Sequence, residues 1–483
     1  MSNYYVATSI PYVNGEPHLG HAMEFVVGDV LARVARKRGD TVIFSTGTDE
    51  HGGKIAEKAA ELGLKPQELA DQMSQKFRDL ITGLNCKPDR FIRTTDKGHE
   101  ERAQLIWKAL AKDIYKNKYV GWYCTGDEEF FTETQVKENN GVCPDHNRPY
   151  EKIEEENYFL RLSSYNEQIL KAVESDELAV VPATKKNEIV SLLREGLDDI
   201  SISRPKDKID WGIPVPGDKN QVMYVWFEAL LNYITVLGYP EHEDFKNFWP
   251  ADVQIVGKGI LRFHAAIWPG ILLGLGLPLQ KKLYVHGYVT VDNKKMSKSL
   301  GNSVSPHDIL KKYGTDAFRY FFLRHIPSYA DGDFSWEAFE AAYNNELANE
   351  LGNAVQRTLA MVQKYQNGLI GDIPASEHDT GAYNESIVAC RFDRALDEVW
   401  QRVRGLNQFI DTEKPWEIAK TGDEDHLREV LANQVSDLLQ IADLLEPFLP
   451  ETATKIQHIF ETGVVKAPKH TLFPKFDAEP AKV

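Results

Sequence analysis

A short buried strand that breaks into a turn marked by glycine and proline, and then runs straight into a long helix, constrains this chain more than any other feature. Tyr4-Tyr5-Val6-Ala7-Thr8-Ser9-Ile10 reads as the strand, and Met23, Val26, Val27, Val30, Leu31 and Val34 recur at helical spacing. Between them, Pro11 and Gly15 punctuate a loop and Pro17 delays the helix until His18-Leu19-Gly20-His21. The first helical N–H groups have no partner inside the helix, so a turn of this kind binds anions. His18 and His21, three residues apart, fall on one side of that first turn, and Gly20 between them leaves room for a planar ring against the backbone. The stretch therefore predicts a nucleotide site.

The next segment repeats the pattern. Thr41-Val42-Ile43-Phe44-Ser45 reads as a second strand, ending in a loop at Thr46 to Gly53; helices are expected to about Leu62 and from Pro66 to Leu84. Strand, crossover helix, strand begins a doubly wound parallel sheet, whose ligands collect at the carboxyl ends of the strands. Tyr12, His18, His21 and Asp49 all fall at such ends. From 119 to 216 the pattern gives way to short strands and turns, which suggests an insertion. It resumes with Met223 to Glu228, Val253 to Val256 and Lys282 to His286, and from Phe334 to Phe460 it is almost wholly helical. The expected fold is α/β: a doubly wound parallel-sheet, Rossmann-type catalytic domain (1–118 and 217–290) with an inserted connective region (119–216), then a lysine-rich loop and helical connector (291–345) and an α-helical bundle (346–483).

Composition narrows the function classes. A net charge of −16 over 483 residues argues against holding nucleic acid by bulk phosphate neutralisation, though not against reading RNA by shape and stacking. Four scattered cysteines, Cys86, Cys124, Cys143 and Cys390, make no disulfide framework, and no window is apolar enough to span a membrane. A cytoplasmic protein that does not engage a membrane is expected.

The lysine-rich turn, Lys294-Lys295-Met296-Ser297-Lys298-Ser299-Leu300-Gly301-Asn302, taken alone reads as a solvated loop. Following the His18-Leu19-Gly20-His21 turn on the other side of the same alternating sheet, it makes the chain resemble a class I aminoacyl-tRNA synthetase, whose two signature motifs these are. Tyr12, Trp226, Leu230, Tyr233 and Phe263, with Ile10 and His264, would bring aromatic and aliphatic surface to the strand ends, with Asp49 as a nearby acid. Ordinary core packing is the plainer account of these aromatics. As a slot, they suit a polarisable thioether, with Asp49 taking the substrate ammonium. The strings Ser9-Ile10-Pro11-Tyr12-Val13-Asn14-Gly15, Gly47-Thr48-Asp49-Glu50-His51-Gly52, Tyr224-Val225-Trp226-Phe227-Glu228-Ala229 and Val256-Gly257-Lys258-Gly259-Ile260-Leu261-Arg262-Phe263-His264 look like the methionyl-tRNA synthetase family. Leu230 and Gly259 depart from the family's commoner Pro and Asp.

The resemblance implies an ATP-dependent ligase acting on L-methionine and tRNA(Met), initiator tRNA included, with Mg²⁺ accompanying ATP. It implies that His18, His21, Lys295 and Lys298 serve the activation step, and that Gly20, Glu24, Gly257 and Ser297 join them around ATP. It further implies a structural Zn²⁺ in the insertion, held by Cys124, Asp127, Cys143 and His146. Two short pairs separated by a loop have knuckle spacing; a metal-free knuckle held by packing is the alternative. The bundle would then bind the anticodon. With 14 Lys+Arg against 23 Asp+Glu from 346 onward, its recognition must be local. Asn353 and Arg357, four apart on one helix face, look like base-edge readers, and Trp416, after Pro415 at a helix start, like a stacking platform. Two other readings stay open here: an adenylating enzyme that uses no tRNA, and a non-enzymatic RNA-binding descendant. A monomer is expected, since no appended module follows the bundle.

Overall fold

The computed structural model describes residues 2–124, 129–131, 133–144, 148–292, 304–375, 379–468 and 470–475. The chain divides into two compact units, Met1–Thr82 with Cys86–His286, and Gly83–Asn85 with Gly287–Val483.

The first unit is organised on a six-stranded parallel sheet. Its spatial order is Arg90–Arg93, β2 (Thr41–Thr48), β1 (Asn3–Thr8), Val253–Gly257, Lys282–His286 and Ala179–Val181. β1 sits at the centre, so Tyr5, Val6 and Ala7 are wholly buried, as a strand covered on both faces requires. The chain leaves β1 in one direction to reach β2 and returns on the other side at Val253–Gly257. That reversal opens a crevice at the carboxyl end of β1, where the glycine- and proline-marked turn lies. The helix α1 (Leu19–Lys37) crosses the sheet closely. A Cβ at Gly28 would stand 2.6 Å from the Phe44 ring of β2, so only glycine fits this crossing.

The segment 119–216 departs from the expected single insertion of short strands. Its antiparallel sheet begins earlier, with long strands Ile114–Cys124 and Glu151–Leu160 paired along their length. Between Leu162 and Glu195 the chain returns to the main body through helices Asn166–Glu174 and Ala183–Glu195, and contributes Ala179–Val181 as an edge of the parallel sheet. Three residues are too few to show a period, which is why this strand cannot be told from a loop by pattern.

The second unit holds a two-stranded parallel pair, Val289–Val291 with Gly332–Phe334, and a set of helices. The expected boundary at 345/346 falls inside a helical run. Helices Trp336–Ala342 and Asn353–Gln366 are joined through a π-helical stretch, Tyr343–Gly352, so the backbone is helical without a break from Trp336 to Gln366. Nothing in Tyr343-Asn344-Asn345-Glu346-Leu347 would stop a helix. At the turn after the helix Glu424–Leu445, the wholly buried Arg319 donates to the carbonyls of Phe448 (2.6 Å), Pro447 (2.8 Å) and Leu84 (3.2 Å). Among the described residues, no helix is long and apolar enough to cross a membrane.

Candidate active site

Backbone pairing joins the turn after β1 to the end of β2. Asp49 N–H donates to the Pro11 carbonyl (2.8 Å) and Val13 N–H to the Asp49 carbonyl (3.1 Å), a parallel bridge that sets Tyr12 beside Asp49. Two sequence-distant strand ends are thereby brought together, as the α/β pattern predicts.

His18 is the N-cap of α1. Its Nδ1 accepts from Gly20 N–H (3.1 Å) and His21 N–H (3.4 Å), while His18 N–H donates to His21 Nδ1 (3.3 Å). The two rings stack at 3.6 Å with 19° between their planes, and His21 meets Phe77 edge-on. A nitrogen that accepts cannot carry the proton, so this geometry assigns both imidazoles the Nε2–H tautomer. Their acidities agree. Crowding inside the cleft, with His286 nearby, holds His18 down to about 4 although its outer surface meets solvent; desolvation, followed by the charges of His18 and His286, lowers His21 well below the usual value. The pair is neutral near pH 7 and keeps one N–H donor on each ring. At Gly20 a Cβ would lie 3.1–3.2 Å from the His18 ring, so glycine keeps the stack free of a side chain.

Glu24, expected beside ATP, is committed within the protein. One oxygen accepts from Ser9 N–H (2.7 Å) and Ser9 Oγ (2.6 Å), the other from His286 Nε2 (2.9 Å). It fixes the end of β1 against the end of Lys282–His286, where His286 faces Gly257 in register.

The aromatic group forms next to this turn. Leu230, Tyr233 and Phe263 belong to one buried cluster, on which Tyr12 and Trp226 pack from the half-buried side. Trp226 stacks on Phe263 at 4.4 Å, and Tyr233 Oη meets His264 Nε2 at 2.8 Å. His264 Nδ1 donates to the Ile260 carbonyl (2.9 Å), so Nε2 accepts from the tyrosine; burial lowers this imidazole to about 4. Because the unfolded chain takes up that proton near pH 6.5 and the folded one only near 4, His264 costs stability as pH falls through this window. Ile10 is half-buried just beyond β1 and does not pack on the cluster. Sequence reasoning missed Ser9, His286, and a buried group made by His51, Glu228 and His99. Each comes from a separate segment, and only the fold joins them.

Lys295, Ser297 and Lys298 lie outside the described residues, as do Asp127 and His146. Of the knuckle, Cys124 and Cys143 share one small buried cluster with Val136 and Tyr150. Among the described residues, no group of three or more candidate donors could hold a metal.

In the second unit, Asn353 is exposed and Arg357 lies one turn further along the same helix. The Arg357 guanidinium is 5.8 Å from the centre of the Trp416 ring and pairs with Asp411 at 2.6 Å. Trp416 is half-buried beside Pro415 at the first turn of Pro415–Thr421. Arg357 and Trp416 are thus brought together from segments 59 residues apart in the chain.

The sequence model of the family described as tRNA synthetases class I (M) matches residues 4–359. A methionine–tRNA ligase of Caldanaerobacter subterraneus is 43% identical over 470 residues, covering 94% of this chain and 73% of that protein. One of Thermotoga maritima is 39% identical over 513 residues, covering 99% and 81%. Among solved structures, the Mycobacterium tuberculosis methionyl-tRNA synthetase in complex with methionyl-adenylate superposes with a TM-score of 0.92 at 36% identity, covering 98% of this chain and 100% of that one.

Proposed function

The chain belongs to the class I methionine–tRNA ligases, and from that premise we propose how its own residues carry out the two steps. It forms methionyl-adenylate from methionine and ATP and charges tRNA(Met). The readings as an adenylating enzyme without tRNA, and as a regulatory RNA-binding protein, fall away with that membership.

In the first step the methionine carboxylate is itself the nucleophile. It attacks the α-phosphorus, a carboxylate oxygen–phosphorus bond forms, and pyrophosphate leaves. The protein must supply alignment and stabilisation of charge that builds on the phosphates. His18 and His21 supply two Nε2–H donors at the start of α1; the observation that carries this assignment is that both Nδ1 atoms are turned inward as acceptors of the helix cap. Gly20 and Gly257 leave room for the nucleotide, and Glu24 acts through Ser9 and His286 rather than through the ribose alone. Lys295, Ser297 and Lys298 meet the pyrophosphate, with Mg²⁺ on the ATP. Asp49 receives the ammonium. Tyr12, Trp226, Leu230, Tyr233, Phe263 and His264 receive the thioether side chain, with Ile10 at the rim. In the second step a ribose hydroxyl of the tRNA 3′ adenosine attacks the adenylate carbonyl and AMP leaves.

Asn353, Arg357 and Trp416 read the anticodon. The support is the approach of Arg357 to Trp416 beside an exposed Asn353. Trp416→Ala is expected to leave methionine-dependent ATP–pyrophosphate exchange at its normal rate and to weaken charging at subsaturating tRNA by roughly 5- to 150-fold, the equivalent of a stacking platform worth about 1–3 kcal/mol. Normal charging in that variant would refute the assignment, and exchange with another amino acid in place of methionine would refute the pocket.

The proposal extends to a monomer in the cytoplasm that serves initiator tRNA as well; sedimentation of the intact chain as a dimer would overturn the first of these. It also includes a structural Zn²⁺. Cys124 and Cys143, buried in one small cluster, fit a thiolate pair, and Asp127 with His146 would complete four donors. Bound there, the ion would tie the two turns of the knuckle together and take no part in the chemistry. Elemental analysis of protein purified without chelator is expected to find about one zinc per chain; its absence would leave a knuckle held by packing.

A further inference from the structure

The methionine subsite is assembled from segments far apart in the chain, and one buried carboxylate joins them. Glu228 is wholly buried on the helix Val225–Leu230, which also carries Trp226 and Leu230. Its Oε1 accepts from His51 Nδ1 at 2.8 Å and its Oε2 from His99 Nε2 at 2.9 Å. His51 follows Asp49 by two residues, in the loop whose backbone is bridged to Tyr12. His99 passes the contact to Thr235 Oγ1, 2.8 Å from Nδ1, and Thr235 closes the short helix Asn232–Thr235 that bears Tyr233. The segments bearing Tyr12, Asp49, Trp226, Leu230 and Tyr233 are thus tied at a single side chain.

The tie is ionic. Burial by itself would lower an imidazole, yet the charge of Glu228 and its hydrogen bond, with Glu100 and Asp49 nearby, raise His51 to about 10; Glu228 is correspondingly held below the usual carboxylate range. Trp211 covers the pair, its ring 5.3 Å from His51 and its indole N–H donating to the Glu50 carbonyl at 2.6 Å. A charged, hydrogen-bonded pair screened from water fixes distance and direction more firmly than a neutral contact.

We propose that His51 and Glu228 are positioning residues for the methionine subsite: their ion pair sets the spacing between Asp49 and the helix of Trp226, and so between the seats of the ammonium and the thioether. The inference rests on the assignment of Asp49 and Trp226 to methionine. A displacement of about 1 Å between groups that grip one small substrate is enough to loosen its binding. A purely structural ion pair would instead lower stability and affect both substrates alike.

The test uses the full chain and steady-state ATP–pyrophosphate exchange. Glu228→Gln, which keeps the shape and removes the charge, is expected to raise KM for methionine about tenfold or more while kcat and KM for ATP stay within about threefold. His51→Gln is expected to behave the same way and carries the test if the Glu228 variant does not fold. The double variant is expected to be no worse than the more affected single, because the two act as a unit. An unchanged KM for methionine, or a loss spread evenly over kcat and both KM values, overturns the proposal. Asp49→Asn separates the two levels. If it raises KM for methionine and the other variants do not, the positioning role falls and the subsite stands; if it too has no effect, the subsite falls with it.

Discussion

Replacing His21 by alanine is expected to lower kcat for methionine-dependent pyrophosphate exchange by about 10²- to 10³-fold, with KM for methionine changed by less than about threefold. The size of the effect reflects the group removed. His21 carries a neutral imidazole whose Nδ1 is occupied by the His18 N–H, so its single remaining function is an Nε2–H donor held rigidly by a ring stack and by Phe77. A donor fixed in advance costs no reorganisation when charge appears on the phosphates, and loss of one such donor is worth about 3–4 kcal/mol of transition-state stabilisation. His21→Gln, whose amide N–H reaches close to the position of Nε2, should recover part of the rate. Alanine also removes one cap acceptor from α1, a stability loss of about 1 kcal/mol that thermal unfolding will register separately. Exchange within a few-fold of normal in the alanine variant would refute the donor role.

Arg319→Ala is expected to be the most damaging single change to the second unit, at about 3–5 kcal/mol. Three backbone carbonyls would lose their donor inside a site that excludes water. Asp316, which accepts from Thr452 N–H at 2.6 Å and is raised by its burial while Arg319 offsets the rise, would lose its neighbouring cation as well. Arg319→Lys should recover only part, because one ammonium cannot reach three carbonyls arranged for a planar fork. Calorimetry of the whole chain should show the transition of this unit shifted down by about 6–20 °C, and a shift under about 2 °C would show that the buried guanidinium is dispensable.

The parts of the fold that can be read from the sequence are those where a period runs long enough to count. The helix after His21 shows six apolar positions at helical spacing, and the strands Val253–Gly257 and Lys282–His286 carry short, mostly apolar stretches, Val253-Gln254-Ile255-Val256 and Leu283-Tyr284-Val285, bounded by loops. The aromatic cluster is foreseeable only in part. Tyr12 and Phe263 follow strands of the parallel sheet, where an α/β fold gathers its ligands. Trp226, Leu230 and Tyr233 instead lie on short helices after Asp218–Met223, a strand of a separate antiparallel sheet and not the resumed parallel pattern expected at Met223 to Glu228. Ala179–Val181 is not foreseeable, since three residues carry no period. Arg319 stands within Phe318-Arg319-Tyr320-Phe321, where a charge beside aromatics reads as the edge of an amphipathic helix; its burial depends on carbonyls more than a hundred residues away. The union of His51, His99 and Glu228 is hidden for the same reason, since each is ordinary in its own segment. Glu24 shows a different failure. Its expected place near the nucleotide comes from the family resemblance, but the demands of Ser9 and His286 on its oxygens are facts of packing.

The unbroken helix from Trp336 to Gln366 bears on how such a protein can be taken apart. Thirty-one helical residues form a rod of about 45 Å, and the place where the sequence pattern suggests that the connector ends and the bundle begins lies inside it. A chain that begins at residue 346 would lose every backbone hydrogen bond that crosses that turn, and would separate Asn353 and Arg357 from the residues that fix the rod's other end. The surface proposed to read tRNA is therefore not an exchangeable cassette. Transplanting it between relatives requires carrying the rod whole, with the strands at Val289 and Gly332 and the carbonyl of Leu84 on which Arg319 closes.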